Sequence, residues 1–317
     1  ISGSDKFHYS ASKVHEPIGA LFGKWPLTPA QWKRWRLSDK QVGRSSATLK
    51  VQFYKENGYL SNVSVLPPSE CDRILADYRL FLDEEKPHRG RGLFYEFHAN
   101  QSGDPDNAVM HALGHWRITP LFHDLVFHPG LVVPTAQLIA ADVGVSDEVA
   151  VQFWHDQLFA KPAKHGGNVA WHQDYSYWTR SVPMNHMTVH VALDAQTIEN
   201  GSLQFVPGSQ RWQRNGKPLP ITSGDFSDMD SVQSVLSAEE KTQWRPVPAL
   251  LNKGQVSFHH PLMVHGSFPN RSSTPRRAAV VNYFGQGSVE CASLVRAGTR
   301  SATNDVLLDG VPVVPSG

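Results

Sequence analysis

The sequence predicts a mainly β fold with flanking helices, an α+β chain, and three observations predict it. Helical spacing dominates before Val149. Beyond it the texture changes to short apolar strands and turns, as in Val189-His190-Val191-Ala192-Leu193 and Ser202-Leu203-Gln204-Phe205-Val206. A His-x-Asp pair, His172 and Asp174, opens this strand-rich part, and a further histidine, His265, lies late in it. A ligand pair early and a third ligand late suggest a double-stranded β-helix, a cupin-like jelly roll whose inner face holds a metal.

At 317 residues, with 40% hydrophobic and 19% charged side chains, the chain can bury one large core. We expect a single domain over 51–317, with residues 1–50 as an extension packed on it. A formal net charge of +1 makes no electrostatic case for nucleic acid. No apolar run approaches the eighteen residues that would cross a bilayer, so no membrane partner is expected. Cys71 and Cys291 are too few for a disulfide framework, and no signal-peptide core stands near Ile1. A cytoplasmic location is expected, with an organelle open should a segment precede Ile1.

Residues 1–50 carry nine Lys/Arg against three Asp/Glu, with Trp25, Trp32 and Trp35 interleaved. Thr28 can cap and Pro29 can start a short helix running to Arg36. Three tryptophans bury well, which favours packing on the core over a docking arm. A longer helix follows Pro67-Pro68, with Ile74, Leu75, Tyr78, Phe81 and Leu82 at helical spacing, and Lys86-Pro87 breaks it. Helices over about 120–127 and 130–141 should buttress a sheet. The jelly-roll core is expected from about Val149. Residues 211–248 interrupt the strand rhythm with Asn215-Gly216 and a helix-like piece from Ser234 to Thr242, the pattern of a lid over a site.

The chemistry starts at Trp171-His172-Gln173-Asp174. A strand would throw His172 and Asp174 to one face and Gln173 to the other. Two histidines and a carboxylate form the facial set of non-haem Fe(II) oxygenases, which leaves positions open for cosubstrate and oxygen. A third ligand must come from elsewhere. His265 and Arg276 stand eleven apart, as do His260 and Arg271. Pro261 cannot donate to a ladder, and Arg271 falls in a turn-like stretch, so His265 with Arg276 is the better register. The pair reads as a hairpin carrying a ligand and a cation, with Arg277 pointing the opposite way. His259 and His260 read as polar residues near a strand end. A guanidinium fork at Arg276 matches the far carboxylate of a chelating 2-oxo acid, which fits 2-oxoglutarate.

These segments, with Asn200-Gly201-Ser202 through Ser209 and the stretch Phe53 to Tyr59, resemble the phytanoyl-CoA dioxygenase family of Fe(II)/2-oxoglutarate oxygenases over roughly 51–285. The resemblance implies His172, Asp174 and His265 as iron ligands, with 2-oxoglutarate and O2 as cosubstrates, and Arg276 as the 2-oxoglutarate clamp. It further implies Ser267, Gln173 and Lys161 around the cosubstrate. His190 departs from a place where the family often has tryptophan. Related halogenases replace the carboxylate with Ala or Gly, so the retained Asp174 favours hydroxylation. Tyr175, Tyr177, Trp178 and Arg180 follow the ligands and are expected at the mouth for a small-molecule substrate. The competing readings are a divalent-metal hydrolase, which leaves Arg276 without a role, and a non-catalytic jelly-roll binding protein.

Overall fold

Alternation of apolar and polar residues along the long strands sorts this chain into two sheets and a helical layer. The computed structural model describes residues 28–37, 47–82, 92–145, 149–176, 181–221, 228–285 and 287–290. The major sheet has seven strands: β1 (Tyr59–Ser64), β2 (Glu96–His98), β3 (Met110–Leu113), β4 (Val151–Lys161), β7 (His186–Ala192), β10 (Gln255–His259) and β12 (Arg276–Gly285). Their order is β1-β10-β7-β12-β4-β3-β2. The minor sheet orders β5 (Val169–His172), β11 (His265–Ser267), β8 (Leu203–Phe205) and β9 (Val247–Pro248) as β5-β11-β8-β9. A two-stranded piece pairs β6 (Ser181–Val182) with β13 (Val289–Glu290). Every pair between named strands is antiparallel. This is the jelly roll expected from the sequence, but it does not begin at Val149. Strand β1, in the place between two helices where the sequence leads one to expect a strand, forms one edge of the major sheet, and β3 with β2 forms the other; β2 and β3 are too short for periodicity to reveal.

One face of the major sheet is apolar and packs against helices. Val189, Val191, Val281 and Tyr283 share a continuous core with Phe122, Leu125, Leu131 and Leu138 of α4 (Pro120–Leu125) and α5 (Pro129–Val143). Thr119 caps α4 and the His128 ring caps α5, each with proline opening the first turn. The helical stretch Pro120–Val143 is long and apolar enough to cross a membrane, contrary to the expectation that no run would be. Its most apolar eighteen-residue window is 78% buried inside the fold, the placement of a core helix.

Helices α2 (Ala47–Asn57) and α3 (Pro68–Leu82) cover the same side. Tyr54 of α2 donates to Asp142 of α5 at 2.6 Å. Helix α1 (Pro29–Trp35) lies against α5, with the Trp35 ring 5.1 Å from that of His128 and the Leu37 amide donating to Gln137. Trp25 lies outside the described residues.

The expected lid takes a different place. In 211–248, Trp212, Leu219, Val232 and Leu236 form a second core with Trp171, Val206 and Val264, and Trp244 packs edge-on against Trp171. The segment carries a short helix, α6 (Ala238–Gln243), with Ser237 and Glu240 as a capping box. None of its described residues lines the cavity between the sheets. The apolar side chains that the turn-rich sequence conceals tie it to the back of the minor sheet.

Candidate active site

The opposite face of the major sheet is polar because His190 and Thr188 of β7, Asn282 of β12 and His259 of β10 occupy its alternate positions. It looks across a cavity of about 370 Å³ at the minor sheet. Strands β5 and β11 pair with His265 opposite His172. Gly266 permits that approach: a Cβ there would sit 2.9 Å from the Val169 carbonyl oxygen. Strand β5 ends at His172, and Asp174 opens a 3-10 turn. The pair therefore converges through the turn rather than by strand alternation.

Ligand atoms of His172, Asp174 and His265 all lie within 4.8 Å of one another. The Nδ1 of His172 faces the Ala170 carbonyl at 2.8 Å, and that of His265 the Met263 carbonyl at 2.9 Å. Each Nδ1 therefore donates its proton to the backbone, and each Nε2 presents a lone pair. Those Nε2 atoms stand 3.4 and 3.5 Å from Asp174 Oδ1. The other oxygen, Oδ2, accepts from Thr188 at 2.6 Å and meets His259 Nε2 at 3.1 Å. Burial alone would raise the Asp174 pKa, but the imidazoles of His265, His172 and His259 clustered around the carboxylate hold it well below the usual range. Burial, then repulsion from His172, pushes the His265 pKa well down. The Asp174 carboxyl is thus held ionised and the His265 ring neutral, the states in which each binds a metal.

Arg276 begins β12 in the major sheet, whereas His265 begins β11 in the minor one. They are not partners in one hairpin. The chain turns a corner over 268–275, where Asn270 donates to Thr274 O at 2.8 Å and accepts from the Ser272 amide, and this sends β12 to the opposite wall. Arg271 lies on the surface, bonded to Asn107 and the Lys164 carbonyl. Arg276 is 2% exposed, and its Nε and Nη2 find no hydrogen-bond partner among the described residues. Burial lowers its pKa to about 10, so it stays charged at neutral pH. A buried guanidinium with two idle donors is costly unless an anion completes it. Arg277 points out and chelates Asp194 at 2.7 and 2.8 Å.

Ser267 lines the cavity beside Arg276. Lys161 does not line it: its amino group is buried behind Ser267, donating to that hydroxyl at 2.7 Å and to the Phe268 carbonyl at 2.6 Å, and burial with the nearby Arg276 charge pushes its pKa well down. Gln173 also departs from the expected role. Its amide donates to the Trp212 and Leu262 carbonyls and accepts from the Leu219 amide, which clips the ligand turn to the 211–248 segment. Tyr175 does not line the cavity either, and its hydroxyl donates to the Ser181 carbonyl. Tyr177, Trp178 and Arg180 lie outside the described residues. His190 does stand in the cavity wall, 2.9 Å from the Gln196 amide. The sequence does not mark His259 and Thr188 as supports of Asp174, since they stand 85 and 14 residues from it along the chain and reach it from strands of the opposite sheet. A polar residue inside an apolar strand is the only signal that could have marked them.

A jelly roll with two imidazoles, one carboxylate and a buried arginine in one cavity is the architecture of the non-haem iron oxygenases. The phytanoyl-CoA dioxygenase (PhyH) family model matches residues 54–278, and the chain belongs to that family. It is 27% identical over 227 residues to the phytanoyl-CoA dioxygenase domain-containing protein 1 homolog of Caenorhabditis elegans, covering 69% of this chain and 74% of that one. Among solved structures it resembles the non-heme α-ketoglutarate-dependent carbocyclase SnoK from nogalamycin biosynthesis, with a TM-score of 0.61 at 19% identity over 82% of this chain and 93% of that one. The epimerase SnoN in complex with Fe3+, α-ketoglutarate and nogalamycin RO matches with a TM-score of 0.61 at 18% identity, over 92% and 95%.

Proposed function

We propose that this chain is an Fe(II)/2-oxoglutarate-dependent oxygenase that hydroxylates an unactivated carbon of a small organic substrate. His172 Nε2, His265 Nε2 and Asp174 Oδ1 hold the iron, and Arg276 takes the C5 carboxylate of 2-oxoglutarate. The observation that carries this reading is the convergence, in one cavity, of three metal-ligand atoms within 4.8 Å and a buried guanidinium with idle donors. Bound iron with 2-oxoglutarate and O2 supplies the oxidising power, with succinate and CO2 as by-products.

The protein's own residues do the rest. The backbone carbonyls of Ala170 and Met263 fix both imidazole tautomers, and Thr188 with His259 holds the carboxylate in place. Lys161 holds Ser267 beside Arg276, so that the carboxylate site is shaped before the cosubstrate arrives. The apolar Val169, Leu203 and Val280 side chains around the centre exclude water from the reacting carbon. A hydrolase reading would leave Arg276 without a function.

Succinate formation by the purified chain tests the proposal. It should require Fe(II), 2-oxoglutarate and O2 together and rise with the true substrate in a panel of acids, acyl-CoAs, amino acids and terpenoids. Zn(II)-supported turnover without 2-oxoglutarate would favour the hydrolase instead.

A further inference from the structure

We propose that Trp154, turned into the cavity by a β-bulge, is the platform on which an uncharged aromatic ring of the substrate stacks. This rests on the reading of the cavity as an oxygenase's substrate chamber. Side chains alternate along a regular strand, so Trp154 and His155 of β4 would face opposite ways. The register with β12 slips by one residue here: His155 stands opposite Asn282 and Phe153 opposite Tyr283, which leaves Trp154 extra. Phe153 stays in the helix-packed core, while Trp154 and His155 both line the cavity. Re-aiming a side chain in this way is what bulges beside functional sites do.

The bulge sets that ring on the far side of the metal centre from the cosubstrate clamp. Asn282 faces Thr188, which holds Asp174, and Arg276 lies six positions before Asn282 on the same strand. Phe284 lies two positions after it, roughly 7 Å further along, and the Trp154 ring stacks on Phe284 at 4.4 Å. A cosubstrate anchored at Arg276 therefore fills one end of the wall and leaves the Trp154 end to the substrate. His155 packs edge-on against Trp154 at 4.5 Å. The indole is thus held by two rings before anything binds, and stacking a substrate on it costs little side-chain freedom.

The lining also sets the charge of what binds. Of the described residues in the cavity wall, only Asp174, Arg276 and Glu96 carry a formal charge. The metal takes the first, the cosubstrate takes the second, and Glu96 is engaged by His98 at 2.7 Å and His111 at 3.6 Å. Among the described lining residues no charge is left to pair with the substrate, and an unpaired ion would be costly to desolvate there. Phe159 of the same strand adds a second aromatic surface to the wall. Offset or edge-on contacts between rings strengthen binding beyond apolar burial alone, which favours an aromatic ring over a saturated one.

Calorimetric titration of the chain with Fe(II) and 2-oxoglutarate present and oxygen excluded tests this with three probes: 2-naphthaleneethanol, its fully saturated decahydronaphthalene analogue and 2-naphthaleneacetate. The saturated alcohol is the more apolar of the two alcohols, so a preference for the aromatic one reads ring contact and not burial. The wild-type chain should bind the aromatic alcohol about fivefold more tightly than the saturated one. It should bind the acid about tenfold more weakly than the aromatic alcohol, or not at all. Trp154→Leu should abolish the ring preference, and Trp154→Phe, which keeps a ring on Phe284, should retain most of it. Failure of the wild-type chain to bind the aromatic alcohol, equal affinity for the saturated alcohol or the acid, or a ring preference that survives Trp154→Leu would overturn the proposal. Succinate formation by the wild-type chain, measured alongside, reads the oxygenase assignment separately. Its absence with the ring preference intact would count against that assignment and leave the Trp154 platform standing.

Discussion

Asp174 divides its two oxygens between tasks, and the division depends on one hydroxyl. Thr188 donates to Oδ2 at 2.6 Å, which leaves Oδ1 turned toward both imidazoles. Thr188→Val keeps the side-chain shape and removes the donor. It should weaken Fe(II) binding about 10- to 100-fold, the usual range for loss of a group that orients a metal ligand. An unchanged dissociation constant would show that the carboxylate needs no such support. Arg276 permits an equally specific prediction. A lysine keeps the charge but loses the planar fork, so Arg276→Lys should raise KM for 2-oxoglutarate at least tenfold. A KM equal to that of the wild-type chain would remove Arg276 from the cosubstrate site.

Between elements, the contact of α2 with α5 makes stability depend on pH. Asp142 is exposed as a residue, but its carboxyl is packed against the Tyr54 hydroxyl, which donates to it, and local desolvation pushes its pKa up. Its folded pKa lies above the unfolded value of about 3.9, so the folded chain keeps a proton that the unfolded chain has lost. That stability is fully present below about pH 4 and declines as pH rises through the raised folded pKa. Asp142→Asn keeps the neutral, hydrogen-bonded form. Between pH 5 and 8 its unfolding free energy should fall less than that of the wild-type chain, as read from urea melts. Parallel pH profiles would contradict this origin.

The same scale explains what could be read from the sequence. His172, Asp174, His265 and Arg276 announce themselves because each sits in a short segment whose spacing and neighbours are local. The strand texture after Val149 and the helices around Pro120 and Gly130 were likewise visible in local periodicity. The opposition of His265 and Arg276 across the cavity was not legible, since it depends on the corner held by Asn270. Gln173 looked like a pocket residue until its partners, Trp212, Leu219 and Leu262, came from segments 39 to 89 residues away. Strands β2 and β3, three and four residues long, leave too little periodicity to mark Glu96 and His111 as cavity residues.

For the whole molecule, the site joins two sheets that otherwise face each other across a cavity. His172 and His265 belong to the minor sheet, whereas Arg276 and the supports of Asp174 belong to the major one. Ligands bound at the centre should therefore stabilise the entire fold. Fe(II) at about 100 times its dissociation constant without oxygen should raise unfolding free energy by about 3 kcal/mol, and 2-oxoglutarate at the same excess by about 3 kcal/mol more. A denaturation midpoint indifferent to both would place their binding elsewhere.

The central claim is that His172, Asp174 and His265 form one iron site whose cosubstrate is held by Arg276. Anaerobic calorimetric titration of Fe(II), followed by 2-oxoglutarate, tests it most directly. The wild-type chain should bind one Fe(II) and then one 2-oxoglutarate, His265→Ala should lose both, and Arg276→Ala should keep the iron while losing most of the 2-oxoglutarate affinity. Wild-type iron affinity in His265→Ala would contradict the account.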